Sequence, residues 1–502
     1  MLRVAITVAL GIGAGILAII VAQMEWRFAG ATIAGLVAAV GLLFLGSAER
    51  SARALIALLA FSLPVNVTST LFLYVRAPDQ FVPHVGGAAG FTVSITLLAA
   101  LGFLVTQVVT APERRIVAGF RIDRIAASGV GLFFLAGVLS LANAADWSLA
   151  GFELIRIATL FSVSVLVMNF DRCAIDFYLR FLAAAVIAQG LLASLQYASG
   201  SSLGLQAFGE QELLHEQLDY SDVARATGTL GNANFLAYFL ELTLPMIFAL
   251  LMAEKRRAFR SLYLAAFIAG LVGLLVTLSR GAWISLPFVL VIVFAAMAGR
   301  RIWSLKAATI GVVLAVGIAA AGIVSVPVVV KRVTADDAGS AQSRAPLNQA
   351  ALSVIRQFPL LGVGLNNFGD AFPRYDQVGG ARLLRGPNHV VHNMYLLIWG
   401  ETGIVGLLAF LWYFGAAFCL AASVWRRTTE PLDRAIALGA ALGLFAHMIH
   451  GLFDPGFRLN FPISTLIACQ IGLLASVRMA NGRGVAQLSL ASALLAPVGQ
   501  RT

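Results

Sequence analysis

The chain has 502 residues, of which 60% are apolar and only 12% charged, a balance that excludes a soluble globular protein. The net charge of +11 does not point to nucleic acid either, because the arginines are scattered through loops between apolar runs and form no binding stripe. The runs are continuous and do not alternate, so they predict an all-α, polytopic membrane helix bundle of about 12–14 spans and not a β-barrel.

In chain order the runs predict fourteen spans: 4–22, 29–46, 55–74, 91–110, 127–145, 153–169, 181–198, 233–252, 261–278, 282–298, 306–328, 403–424, 435–453 and 461–477. The opening MLRVAITVALGIGAG resembles a signal peptide, but no small-residue cleavage site follows, and it is expected to remain as an uncleaved first span. The polar breaks fall into two alternating sets. One set is short and rich in Arg and Lys; with the two ends of the chain it holds 22 of the 35 basic residues. The other contains two long stretches, 199–232 and 331–393. Short basic loops face the cytoplasm. Both termini are therefore expected to be cytoplasmic, with the long stretches facing outward. The resulting organisation is N-terminal transmembrane helices (1–198), central helices with an outward-facing loop carrying Arg225 and Arg280 (199–330), a large outward-facing loop (331–393), C-terminal helices (394–478) and a cytoplasmic tail (479–502).

The bilayer accounts for the cytoplasmic arginines; those on the other side need another reason. Arg225 opens RATGTLGNANFLAYF, a Gly- and Asn-rich entry in which Asn232 or Asn234 suits a helix N-cap. The segment fits tight turns beside a ligand and equally fits a capped helix with a solvated arginine. Arg280, in TLSRGAWISL, sits in the smallest break between two spans, where a charge at the membrane edge is a functional candidate. Snorkelling to lipid phosphates is the alternative. The stretch FPLLGVGLNNFGDAF (358–372) predicts a short helix entered through Gly362 and Gly364; its lone GxG follows no strand and is no dinucleotide site. The large loop closes with GPNHVVHNMYLLIWGETGIVGLLAF. Here His389 and His392 precede Asn393 and an apolar helix, and the helix dipole favours a neutral, base-competent imidazole. A metal pair lacks a third ligand of the right kind nearby, so no metal and no cofactor is expected. In HMIHGLFDPGFRLNFP, His450 and Asp454 are four apart, on one face if the helix continues, so the carboxylate would orient the ring. His447, a turn deeper, is expected to be buried and bonded to a neighbouring helix. Cys173, Cys419 and Cys469 lie in or beside apolar runs and are expected to be buried small hydrophobes.

Two arginines and a histidine at one membrane face suit an anionic ligand and a proton transfer. A polyprenyl pyrophosphate-sugar fits, with its tail in the bilayer and its head at the surface. The segments RATGTLGNANFLA (225–237), LSRGAWISL (278–286), FPLLGVGLNNF (358–368), HNMYLLIWGETGIVGLL (392–408) and HGLFD (450–454) resemble the O-antigen ligase and O-antigen polymerase superfamily of bacterial envelope enzymes. The resemblance covers residues 225–454 and implies a metal-independent glycosyltransferase. The donor would be an undecaprenyl-pyrophosphate-linked glycan, the acceptor a lipid or polysaccharide hydroxyl, and the setting the membrane lipid of a bacterial inner membrane, with the outward-facing loops in the periplasm. By the same resemblance Arg225 and Arg280 face the pyrophosphate and His392 activates the acceptor. Asn393, His389, His450, Asp454 and Asn234 are the expected substrate-binding residues. The family commonly has about twelve spans, fewer than the fourteen found here. A ligase delivering glycan to lipid A-core is the preferred reading. A polymerase or a protein-directed oligosaccharyltransferase uses the same donor, and a polytopic transporter is the alternative of another class.

Overall fold

The computed structural model describes residues 48–71, 88–110, 120–213, 215–218, 221–298, 340–375, 391–481 and 485–487. The chain runs α1 (Ala48–Ser62), β1 (Thr68–Leu71), β2 (Phe91–Ser94), α2 (Ile95–Thr110), β3 (Arg121–Asp123), α3 (Arg124–Ser140), α4 (Trp147–Met168) and α5 (Arg172–Ser199). It continues through β4 (His215–Leu218), β5 (Ser221–Ala224), α6 (Ala233–Ala253), α7 (Arg257–Val276), α8 (Arg280–Ala298), α9 (Ser340–Gln357) and α10 (Phe368–Tyr375). The last elements are α11 (Met394–Arg427), α12 (Pro431–His450), α13 (Gly456–Leu459), α14 (Phe461–Ala480) and β6 (Val485–Gln487). The strands form only antiparallel pairs, β1 with β2, β3 with β6 and β4 with β5. The protein is an all-α polytopic membrane bundle, as its composition requires.

Among the described residues nine helices are long and apolar enough to cross a membrane: α3 to α8, α11, α12 and α14. Each overlaps an expected span; α5 and α11 begin nine residues earlier than expected, and α7 and α12 end two or three residues short. Three expected spans, 4–22, 29–46 and 306–328, lie outside the described residues, as do both termini. Two expectations need correction. The run 55–74 is helical only to Ser62; Pro64 lacks a backbone donor, and the chain passes through a turn into the polar, β-branched Thr68–Leu71 strand. The run 91–110 begins as that strand's partner and becomes helical only at Ile95, which leaves about 24 Å of helix against a hydrocarbon core of about 30 Å.

α6 and α14 form the centre: 83% and 94% of their apolar windows are buried, against 33% for α7 and α8, which show Ile268 and Val291 to the outside. Small residues on α12, Ala437, Gly439, Ala440 and Gly443, let its backbone approach that of α6 closely, the packing that favours helix association in lipid. Polar ties then gather the two sets of loops at opposite ends. At one end Thr229 Oγ1 donates to Pro64 O (2.7 Å) and Asn366 Nδ2 to Ala88 O (2.7 Å) and Leu149 O (2.9 Å). At the other, Arg478 pairs with Asp123, Arg172 pairs with Asp433, and Asn481 Nδ2 donates to Asp433 Oδ2 (2.8 Å). The second end is the arginine-rich one. Of the cysteines only Cys469 is buried; Cys173 and Cys419 are exposed on the helix surfaces, which corrects the expectation for those two.

α11 is broken near its start. Gly403 has φ 67° and ψ −171°, which interrupts the helical ladder inside a span. The freed groups are met by the FPLLGVG segment: Ile404 N donates to Pro359 O (2.9 Å), Val363 N to Gly400 O (3.0 Å) and Gly364 N to Glu401 O (2.9 Å). Irregular backbone at this depth is tolerated where protein satisfies it. A Cβ on Gly403 would lie 2.0 Å from Leu360 O, so the close approach needs glycine as much as the positive φ does. The expected short helix begins only at Phe368, after Gly362 and Gly364, both at positive φ.

Candidate functional site

Arg225 follows β5, and Ala226 N donates to Val276 O (3.2 Å), which pins the strand's end to the end of α7. The guanidinium donates from Nε to Thr277 O (3.0 Å), at the negative end of the α7 dipole, and from Nη2 to Asn234 Oδ1 (3.0 Å). Asn232 caps α6 by accepting from Asn234 N (2.8 Å), so of the two candidate caps it is Asn232 that serves and Asn234 whose side chain faces the arginine. The amide of Asn234 donates in turn to Asp454 Oδ2 (3.1 Å). His392 Nδ1 stands 3.6 Å from that same oxygen. A continuous polar chain, Arg225–Asn234–Asp454–His392, thus crosses three segments far apart in sequence.

Burial divides the chain's members. Asp454 is buried, whereas the His392 side chain is 39% exposed, so its ring is open to a ligand while its partner is not. Burial alone would push the Asp454 carboxyl up. The proximity of His392, with His450 and the hydrogen bond from Asn234, outweighs it and holds the group below its ordinary value of 3.8. Asn393 is the N-cap of α11, accepting from Tyr395 N and Leu396 N (3.0 Å each), and its Nδ2 donates to Leu452 O (3.1 Å). Met394 N donates to Gly451 O (2.8 Å). These bonds weld the segment carrying His392 to the one carrying Asp454. His389 lies outside the described residues.

The expected pairing of His450 with Asp454 is corrected. α12 ends at His450, and Asp454 lies beyond it in a turn, with its own carbonyl accepting from Tyr238 OH (3.0 Å). The carboxylate that holds His450 is Glu241 of α6: His450 Nδ1 is 2.9 Å from Glu241 Oε2, and Ser285 Oγ donates to the same oxygen (3.1 Å). His447 Nδ1 lies 3.4 Å from Glu241 Oε1, so this buried histidine does face a neighbouring helix. On its other side His450 Nε2 is 3.4 Å from Ser279 Oγ, in the turn that carries Arg280 into the first position of α8. Arg280 is therefore one residue from a group that His450 touches.

A second ionic cluster lies at the same end, among residues that the sequence motifs do not single out. Arg458 pairs with Glu153 and donates to Glu401 Oε2 (2.8 Å); Arg156 Nε donates to Glu153 (2.9 Å) and Nη1 to Ser464 Oγ (2.7 Å). All four charged residues are buried. The signal was present, since Glu153, Arg156, Glu241 and Glu401 each interrupt an apolar run, and an ionisable residue within a span is costly unless partnered. Which charge meets which was not readable along the chain.

Residues 243–411 match the family model described as O-antigen ligase. That stretch holds Arg280, Glu401, His392 and Asn393, and excludes Arg225, Asn234, Glu241, His450 and Asp454. No curated protein matches the chain. Among solved structures, a chain described under "Structural coordination of polymerization and crosslinking by a peptidoglycan synthase complex" aligns with 71% of this chain and 96% of its own. Its identity is 16% and its TM-score 0.38, too low to carry an argument.

Proposed function

We propose that this chain, which belongs to the O-antigen ligase superfamily, moves a glycan from undecaprenyl pyrophosphate to an acceptor hydroxyl at the periplasmic membrane face. The observation that carries the reading is the chain Arg225–Asn234–Asp454–His392, which joins a phosphate-binding fork to an accessible base through one buried carboxylate. In the proposed reaction the acceptor oxygen attacks the anomeric carbon. The bond from that carbon to the pyrophosphate oxygen breaks, and the pyrophosphate leaves with the electron pair. Arg225 and Arg280 meet the negative charge that grows on it. His392 takes the acceptor proton, and Asp454 stabilises the resulting imidazolium. The gap of 3.6 Å between the two is of the kind that shortens once substrate is bound. With two guanidinium groups on the leaving group, the reaction is proposed to need no metal.

The periplasmic assignment rests on the arginine distribution, since the site lies at the end opposite the basic loops. Lipid A-core is the preferred acceptor, because the paired arginines and the loop ending in His-Asn resemble the ligase branch most. The test supplies the purified protein in a bilayer with a lipid-linked oligosaccharide, a chelator, and lipid A-core, a peptide or no added acceptor. Glycan on lipid A-core is the expected product. Elongated donor would assign a polymerase, and glycopeptide a protein-directed transferase. Passage of intact donor across the bilayer with no bond broken would overturn the reading in favour of a transporter.

A further inference from the structure

Glu241 is the ninth residue of α6, about 12 Å along the helix from its start, and its side chain is fully buried. A carboxylate at that depth is costly unless it holds something in place. What it holds is a line of polar atoms that runs up to the membrane edge. Its Oε2 faces His450 Nδ1 at 2.9 Å, and His450 Nε2 faces Ser279 Oγ at 3.4 Å. A carboxylate only accepts, so Nδ1 carries a proton, and the direction of every bond above it is set from below.

The turn at the top of that line is strained. Leu278 sits at φ 54°, a left-handed conformation that a branched side chain seldom adopts, and persists only where the surroundings over-determine it. Those surroundings are identifiable. Thr277 O accepts from Arg225, Ser279 Oγ meets His450, and Gly281 packs flat on the His450 ring, where a Cβ would come within 2.3 Å of Cδ2. Tyr238 packs against the same ring, with centroids 4.3 Å apart. Both arginines assigned to the donor thus hinge on residues 277–281, and the imidazole is the wall on which that turn rests.

We infer that Glu241 is a positioning residue for the donor side of the site, acting through His450 and Ser279 to fix the turn that presents Arg280. This rests on the reading of Arg280 as a pyrophosphate ligand. Glu241→Gln keeps the shape of the side chain and can donate to His450 Nδ1, which moves the ring proton to Nε2 and reverses the bond to Ser279.

The experiment measures transfer with purified, bilayer-embedded protein over a range of lipid-linked donor and of acceptor. Glu241→Gln is expected to raise the donor KM about tenfold and leave the acceptor KM unchanged. Added to Arg280→Lys, it is expected to cost little more than Arg280→Lys alone, because both changes act through one guanidinium. Ser279→Ala removes only the last link and is expected to raise the donor KM about threefold; it carries the test if Glu241→Gln does not fold. A loss of kcat with both KM values unchanged, or a cost that multiplies fully with that of Arg280→Lys, would mean a merely structural glutamate and overturn the inference. Wild-type kinetics for Arg280→Ala would instead remove the reading of Arg280 itself, and this inference with it.

Discussion

Two charged clusters lie at the same end of the bundle, and they are built oppositely. Around Arg458 every charge is buried and each cation is matched with a carboxylate, so the group is neutral and closed. It clamps α4, α11 and the α13 turn together. Along Arg225–Asn234–Asp454–His392 the partners also meet in sequence, but the last member opens to the outside and the final gap is wider than a hydrogen bond. A buried set of paired charges is out of reach of a substrate, whereas one that ends in an exposed ring is not. By that measure the conspicuous Asn366 and Asn367 belong with the clamp: both spend their amides on backbone carbonyls of neighbouring loops.

The comparison can be broken at either cluster. Arg458→Ala leaves Glu401 buried without its cation and Glu153 with Arg156 alone, a loss of about 3–5 kcal/mol. It should sharply reduce the yield of folded protein, read as monodisperse material in detergent; normal yield and stability would show that the cluster is no clamp. His392→Ala should do the reverse, keeping the fold and lowering transfer by about 100-fold or more. Retained activity there would remove the proton-transfer role.

The acid side gives a finer test. The Asp454 carboxyl is held below its ordinary range, so its contribution to stability is present at neutral pH and is lost as pH falls through the depressed value. Asp454→Asn should abolish this acid-side loss in a pH series of melting temperatures, and lower transfer at neutral pH by about tenfold. An unchanged acid profile would mean that the carboxylate and His392 do not interact. The smallest effect is expected from Asn393→Ala, which removes the α11 cap at a cost of about 1 kcal/mol, visible as a modest drop in thermal stability. A collapse of the fold would show that the weld to Leu452 matters more than the cap.

Apolar run length alone, read against bilayer thickness, located the nine long spanning helices among the described residues, because a helix that crosses lipid must be long and predominantly apolar. It failed at 55–74, where hydropathy ignores Pro64 and the strand-forming Thr68–Leu71. The arginine pattern separated the two sets of loops, which the tertiary ties gather at opposite ends. Arg225, Asn234, Asp454 and His392 could be singled out as polar residues at one boundary. That Asp454 serves His392, while Glu241 serves His450, was decided only in three dimensions. Four residues along the chain suggested one helix face, but α12 stops at His450, and pairing then depends on which helix crosses beside it. Spacing reports neighbours along one helix; partners between helices follow from packing, which no single run of residues encodes.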